Sequence, residues 1–395
     1  SSQVDYLCRD RHMAAQDVLA IQQMRRHSNS DEPLSPEDLG YDCRALALFV
    51  SAVFQTSVPA SLVERIPATG RAAQGSPISS YTYLRCVVRS FDDETIHATV
   101  VNQDCDEEMV TIDYRHTPDY IDFSYLTRIL QEGMTLNLLD CHREDERLIP
   151  GLIIVEPDYL LDISAIASCF EDYGHHPLLF TLHRLKERQN SKHILLGNFA
   201  GSALDDLINH AQYRFADTLQ RNFREKAIEY ACCPDFDPSE FKKLAESQVN
   251  NMQAVVTELF GRYNKEKAIL EPSFICEKLG IQGRVDLMTT DLQLLVEQKS
   301  GQNYFLKRHT RNRYGSLHVE KHYVQVLLYF GVLSYNFGLS PKHADIYLLY
   351  SKYPLPDGLM QVEPLRKLLR EALKYRNQVV ALEYWMAFHG LERIL

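Results

Sequence analysis

The sequence predicts a mixed α+β protein, and three observations predict it. Apolar residues follow helical spacing up to about residue 77 and switch to short β-rich runs from Ser79. Helical spacing returns after the break at Glu156-Pro157-Asp158. From Ala268 onward strand-length runs alternate with helices, the pattern of a mixed sheet with flanking helices. The expected organisation is a helical N-terminal segment over 1–77, a small β-barrel over 78–158 and a sheet-and-helix domain over 159–395.

In the first segment, Ala15, Val18, Leu19, Ile21 and Met24 recur at helical spacing. Ser35-Pro36-Glu37-Asp38 is a helix start, with Pro in the first turn and acids behind it. Leu46–Phe54 continues as a buried helix, and Pro67–Pro77, rich in Gly, Ala and Ser, reads as a linker. In the second, five β-rich runs begin near Tyr81, Thr95, Glu108, Thr135 and Leu148, with an acidic turn at Asp92-Asp93-Glu94. Short strands at this spacing suggest a barrel. In the third, helices are expected over Asp162–Phe170, Pro177–Arg188, Leu204–Tyr230, Pro238–Phe260 and Val319–Tyr335, with a last one from Val362. Strands are expected over Ala268–Cys276, Gln282–Thr289, Gln293–Gln298 and Ala344–Tyr350. Arg376-Asn377 in the last helix reads as surface.

Composition narrows the function classes. The 395 residues are 45% hydrophobic and 24% charged, ordinary globular usage that excludes disordered and collagenous proteins. The net charge is -11, so contact with a polyanion must come from a local basic patch. Nine cysteines are scattered without a CxxC pair, which points to free thiols in a reducing cytoplasm. No apolar run reaches membrane-spanning length, so a cytoplasmic protein without membrane contact is expected. The start at Ser1-Ser2 and the helical run continuing to Leu395 suggest a fragment of something longer.

The residues that carry chemistry lie between Glu271 and Tyr329. Asp286 interrupts the apolar run Gly283-Arg284-Val285-Asp286-Leu287-Met288. Glu297 and Lys299 are two apart on the next strand, so both point to one face. One short turn separates the two strands, enough for a hairpin that sets the carboxylates side by side. Two carboxylates and a Lys at strand ends suit a hard divalent cation. Gln325 and Tyr329 follow at i and i+4, on one helical face. Glu271 precedes Pro272 at a strand start, where a turn role competes with one beside the site.

This constellation, Gly-Arg-Val-Asp then Glu-Gln-Lys then Gln-x-x-x-Tyr, resembles the PD-(D/E)xK nuclease superfamily. It is most similar to the RecB-like branch, and within it to the nuclease module of flap-processing nuclease-helicases. The Gln-x-x-x-Tyr helix is that branch's distinguishing mark. The resemblance spans roughly residues 78–395 and is strongest over 268–330. It implies a restriction-endonuclease-like mixed sheet preceded by an OB-like barrel. It also implies Asp205, Asp286 and Glu297 as ligands of Mg²⁺ or Mn²⁺, Asp206 being the alternate to Asp205. Asp286, Glu297, Lys299, Gln325 and Tyr329 would be the catalytic set. The expected substrate is single-stranded or flap DNA, and the expected products carry 3′-hydroxyl and 5′-phosphate ends. A helicase region would lie beyond the C-terminus, since no Gly-x-x-x-x-Gly-Lys-Ser/Thr loop occurs in this chain. The chain departs from the pattern at Val285, where relatives often carry Pro. No Cys follows Cys276, so the iron–sulfur cluster of some relatives is not expected.

A basic patch follows the Lys299 strand. Lys307, Arg308, Arg311 and Arg313 alternate with Tyr304, Phe305 and Tyr314, as expected of a track for single-stranded nucleic acid. An ordinary solvated loop would show the same charges. The competing reading of the whole chain is a non-catalytic single-strand-binding or scaffold module of a repair complex.

Overall fold

The structure, a computed structural model, describes all residues except 1–3, 5–6, 9, 29–33, 70–80, 102–107, 118–120, 145–146, 172–173, 188–189, 340–342 and 391–395. Most of the Pro67–Pro77 linker, Cys105 and both chain ends therefore lie outside the described residues. The eight described cysteines are free thiols. Among the described residues no helix is long and apolar enough to cross a membrane. The chain divides into two compact units, Ser1–Ile153 and Ile154–Leu395.

The first unit opens with helices α1 (Ala15–Ser28), α2 (Pro36–Phe54) and α3 (Ala60–Val63). Ser35 caps α2, its hydroxyl accepting from the Asp38 amide at 3.0 Å, with Pro36 in the first turn. Ile21 and Ala45 anchor a small core between α1 and α2. Six strands follow: β1 (Tyr81–Phe91), β2 (Thr95–Val100), β3 (Met109–Asp113), β4 (Thr135–Glu144), β5 (Arg147–Ile149) and β6 (Leu152–Val155). The last expected run is split at Pro150-Gly151 into β5 and β6. Strands β1-β2-β3-β5-β4 close into a five-stranded barrel through a β1–β4 pairing, with β3 and β5 parallel. Alternate residues (Cys86 and Val88, Ile96 and Ala98, Leu136 and Leu138) fill its interior. Asp92 makes the acidic turn, its Oδ1 accepting from the amides of Glu94 and Thr95 at 2.8 and 2.6 Å.

The second unit begins with β7 (Leu161–Asp162), then α4 (Ile163–Ser168), α5 (Leu178–Leu185), α6 (Lys192–Asn209), α7 (Phe215–Glu225), α8 (Ala227–Ala231) and α9 (Pro238–Phe260). Strands β8 (Ala268–Leu270), β9 (Ser273–Cys276), β10 (Ile281–Arg284), β11 (Leu287–Thr289) and β12 (Leu294–Lys299) come next. Then follow α10 (Tyr304–Arg308), α11 (Glu320–Phe337), β13 (Asp345–Tyr350), β14 (Leu359–Gln361) and α12 (Arg366–His389). One sheet runs β14-β13-β12-β11-β8 and another β7-β10-β9. Strand β12 lies centrally, parallel to β13 and antiparallel to β11. Its Leu294 and Val296 face a core built with Leu195, Phe199, Val249 and Val256 of α6 and α9.

In the first unit the stretch Leu46–Phe54, expected to be buried, exposes Leu46, Val50 and Phe54, and the second unit also departs from the sequence expectation. The strands expected over Ala268–Cys276 and Gln282–Thr289 are each cut in two, at Glu271-Pro272 and at Val285-Asp286. Pro272 removes a ladder donor, and Glu271 adopts φ 49°, so the strand bends there. The Glu271 amide donates to the Asp286 carbonyl at 3.0 Å and the Val285 amide to the Pro272 carbonyl at 3.2 Å. Both strands therefore bend together, passing from one sheet to the other.

The single helix expected over Leu204–Tyr230 is instead the end of α6 followed by α7 and α8. α6 starts at Lys192, capped by Ser191, whose hydroxyl accepts from the Ile194 amide at 3.4 Å. Gly197 and Gly201 mask it in the sequence, since each Gly in a helix costs about 1 kcal/mol relative to Ala.

Arg376 and Asn377 are fully buried, not surface. The Arg376 guanidinium donates to the carbonyls of Gly280 (3.1 Å), Glu156 (2.8 Å), Tyr159 (2.7 Å) and Val155. Asn377 Oδ1 accepts from the Val155 amide at 3.0 Å. Gly280 sits at φ +60°, and a Cβ there would fall 2.3 Å from Arg376 Nη2. Only glycine meets both demands.

Candidate active site

Strand β12 presents its odd-numbered residues to α11. Glu297 is 3% exposed, and its Oε1 accepts from Lys299 Nζ at 2.8 Å and from Gln325 Nε2 at 2.6 Å. Lys299 Nζ also donates to Gln325 Oε1 at 2.9 Å. The Gln325 amide thus grips the carboxylate with one end and the ammonium with the other. Glu297 Oε2 is buried with no donor in hydrogen-bond geometry, although the Asp286 backbone amide lies near enough to favour the charged carboxylate. Burial pushes the Glu297 carboxyl up to about 7; nearby Asp286 adds to the rise and Lys299 opposes it.

Asp286 lies at the bend between β10 and β11. Its Oδ2 accepts from the Gln298 amide at 2.6 Å, beside Glu297. Burial raises its proton affinity, Glu271 adds to the rise, and Lys299, the Gln298 amide and Arg284 oppose it. On the other face of β12, Gln298 Nε2 donates to Ser351 Oγ at 3.0 Å, and that hydroxyl donates to Gln248 Oε1 on α9 at 2.7 Å. This pins the strand from behind.

Tyr329, one turn after Gln325 on α11, does not reach Lys299. Its hydroxyl donates to the Arg284 carbonyl. A Cβ at Gly283 would lie 3.1 Å from the Tyr329 ring, so glycine leaves room for it. Gln325 therefore holds the charged pair, and Tyr329 holds the strand that leads to Asp286.

Asp205 and Asp206 are divided by α6. Asp206 is buried and accepts from Thr218 Oγ1 at 2.5 Å and from Arg221 at 2.8 Å. Asp205 faces the cluster: burial pushes its carboxyl up to about 6, with Glu271, Asp286 and Asp206 adding to the rise and Arg284 opposing it. Glu271 pairs with Arg284 at 3.1 Å.

These residues suit a divalent cation. A buried carboxylate oxygen without a donor is costly, and oxygen donors are what a hard cation takes. Among the described residues no three His, Cys, Asp or Glu side chains stand close enough to grip one ion. Mg²⁺ does not require such a cage; one or two carboxylates with water suffice.

The basic patch divides. Lys307 and Arg308 end α10 and are exposed, and exposed Arg311 donates to the Gly315 carbonyl at 2.6 Å. Arg313 is drawn away to Glu320 at 3.6 Å and Glu371 at 3.5 Å, with its guanidinium over the Tyr314 ring. His175 sits between the same acids, with Nε2 2.6 Å from Glu320 and Nδ1 2.8 Å from Glu371. Nothing local marks it, because both acids come from helices far along the chain. Another unflagged neighbour is His322, one turn before Gln325. Burial, with Lys299 and Lys321 nearby, pushes its imidazole down to about 3.

No protein-family model matches the chain, and no curated protein matches it. Among solved structures it is similar to a "Putative exonuclease" from Eubacterium rectale, at 14% sequence identity and a TM-score of 0.38. That match covers 57% of this chain and 81% of the other.

Proposed function

We propose that the chain is a Mg²⁺- or Mn²⁺-dependent deoxyribonuclease module that hydrolyses phosphodiester bonds of single-stranded or flap DNA. In this reading it is a RecB-like PD-(D/E)xK module preceded by an OB-like barrel, within a longer nuclease-helicase that acts in DNA repair. The observation that carries it is the buried Glu297, held through Oε1 by Lys299 and Gln325 while Oε2 has no hydrogen-bond partner. Glu320, paired with His175, also keeps one buried oxygen without a hydrogen-bond partner; what sets Glu297 apart is that its open oxygen lies in a cluster with Asp286 and Lys299.

Asp286 and Glu297 would hold the cation with water, and Asp205, expected as a third ligand, would reach it through water. When bound, the cation supplies Lewis-acid polarisation of the scissile phosphate and a lowered pKa for water. The remaining roles belong to the chain. Lys299, oriented by Gln325, positions the attacking water and meets negative charge growing on the phosphate oxygens. The Gln298 amide aims the Asp286 carboxylate. Tyr329 fixes the backbone before the bend. Lys307, Arg308 and Arg311 offer exposed charge for the phosphates of an unpaired strand. Arg313, committed to Glu320 and Glu371, takes the smallest part.

The test is cleavage of end-labelled single-stranded and flap oligonucleotides with Mg²⁺, with Mn²⁺ and with chelator, using the chain and its Glu297→Gln variant. Cleavage that requires the cation and Glu297 supports the reading. DNA binding without cleavage under every condition would replace it with the non-catalytic module.

A further inference from the structure

Arg284 ends β10 just before the bend. Its guanidinium meets Glu271 Oε2 at 3.1 Å, with the two side chains 61% and 45% exposed. An exposed ion pair of this kind contributes little to stability. Yet the backbone beneath it is fixed with care: the buried Tyr329 donates to the Arg284 carbonyl, and Gly283 makes room for the ring. Glu271 holds the other end from a left-handed backbone position that non-glycine residues rarely adopt. The Arg284 charge also reaches Asp205 and Asp286, opposing their mutual repulsion. Lys299 approaches Asp286 from β12 while Arg284 approaches from β10. A phosphate entering among carboxylates needs a cation that can release its present partner, and an exposed guanidinium with a planar fork suits phosphate oxygens.

Resting on the phosphodiesterase reading, we infer that Arg284 is a substrate-binding residue that takes a phosphate oxygen of the strand at the site. Glu271 parks the guanidinium until that phosphate arrives. Arg284 is thereby separate from the exposed charges of the Lys307–Arg311 loop.

The test is anisotropy of a labelled single-stranded oligonucleotide in Ca²⁺ across a salt series. It uses the parent, Arg284→Ala, Arg284→Lys, Glu271→Gln and the double variant, with a melting curve for each. Arg284→Ala should bind about 5–20-fold more weakly and lower the salt slope by about 1, the signature of one lost phosphate contact. Arg284→Lys should recover part of the affinity, Glu271→Gln should bind at least as tightly as the parent, and the double variant should stay weak. Should Arg284→Ala keep parental affinity and slope in a chain that binds and cleaves, this inference alone is wrong. Rescue of Arg284→Ala by Glu271→Gln would also overturn it, because Arg284 would then only neutralise Glu271. A parent without affinity for the oligonucleotide would overturn the hydrolase reading and this inference with it.

Discussion

Two buried polar clusters in the second unit are built on opposite principles. Around Arg376 the guanidinium reaches four backbone carbonyls, and neighbouring Asn377 takes an amide. Around Glu297 three side chains are gathered as tightly, yet one carboxylate oxygen has no hydrogen-bond partner and the carboxyl is pushed up to about 7. The first arrangement is closed on itself and holds a turn in place. The second is incomplete and stores proton affinity. The difference separates a polar cluster that satisfies itself from one that, in the proposed function, a bound cation would complete.

The contrast can be broken most forcefully at Arg376. Arg376→Ala should cost about 3–5 kcal/mol in urea unfolding, because it strands several buried carbonyls at once. A cost near zero would mean that the buried guanidinium does no structural work. Lys299→Ala should do the reverse: cleavage slows by about 10²–10³ while single-strand affinity in Ca²⁺ stays near parental, and the unfolding cost stays below that of Arg376→Ala because Glu297 can take up a proton. Full activity in that variant would remove Lys299 from the catalytic set.

The stored proton affinity predicts a pH effect with a definite sign. Glu297 and Asp205 have folded values near 7 and 6, above the usual carboxylate range, so the folded state holds protons that the unfolded state has released. Without divalent cation, stability should therefore fall as pH rises from about 4.5 to 7, by about 1–3 kcal/mol. Thermal melts at pH 5 and 8 test this, and Mg²⁺ or Mn²⁺ should stabilise the protein much more at pH 8. A flat profile, or equal stabilisation at both pH values, would mean that the cluster is not an ion site. The smallest effect expected is at Tyr329. Tyr329→Phe removes the bond to the Arg284 carbonyl and a polar contact with Gln325, and should slow cleavage by about 5–10-fold, in line with about 1 kcal/mol per hydrogen bond.

Much of the site's layout was legible because it depends on local periodicity. The two-residue step puts Glu297 and Lys299 on one strand face, and the four-residue step puts Gln325 and Tyr329 on one helix face. The capped start of α2 was likewise local. What was hidden depends on partners distant in the chain. Arg376 looks like any charged helix residue until the carbonyls of residues 155–159 and 280 surround it. The bend at Glu271 is half written in Pro272, but its other half is Asp286, on the paired strand. Arg313 read as part of a basic track because its acid partners stand on two separate helices.

The bend has a mechanical consequence. Glu297 sits inside a ladder, paired in register with Leu348 of β13 and bracketed by Val296 opposite Leu287. Asp286 belongs to neither β10 nor β11 and hangs at the corner where the hairpin changes sheets. The two carboxylates therefore stand on different footings, Glu297 on a ladder and Asp286 on a corner held by the Gln298 and Glu271 amides. In the proposed function, differences in ion radius or in the path of a bound strand would be taken up at this corner before they disturb the ladder. The register of the central strand, and with it the aim of Lys299, would be left undisturbed.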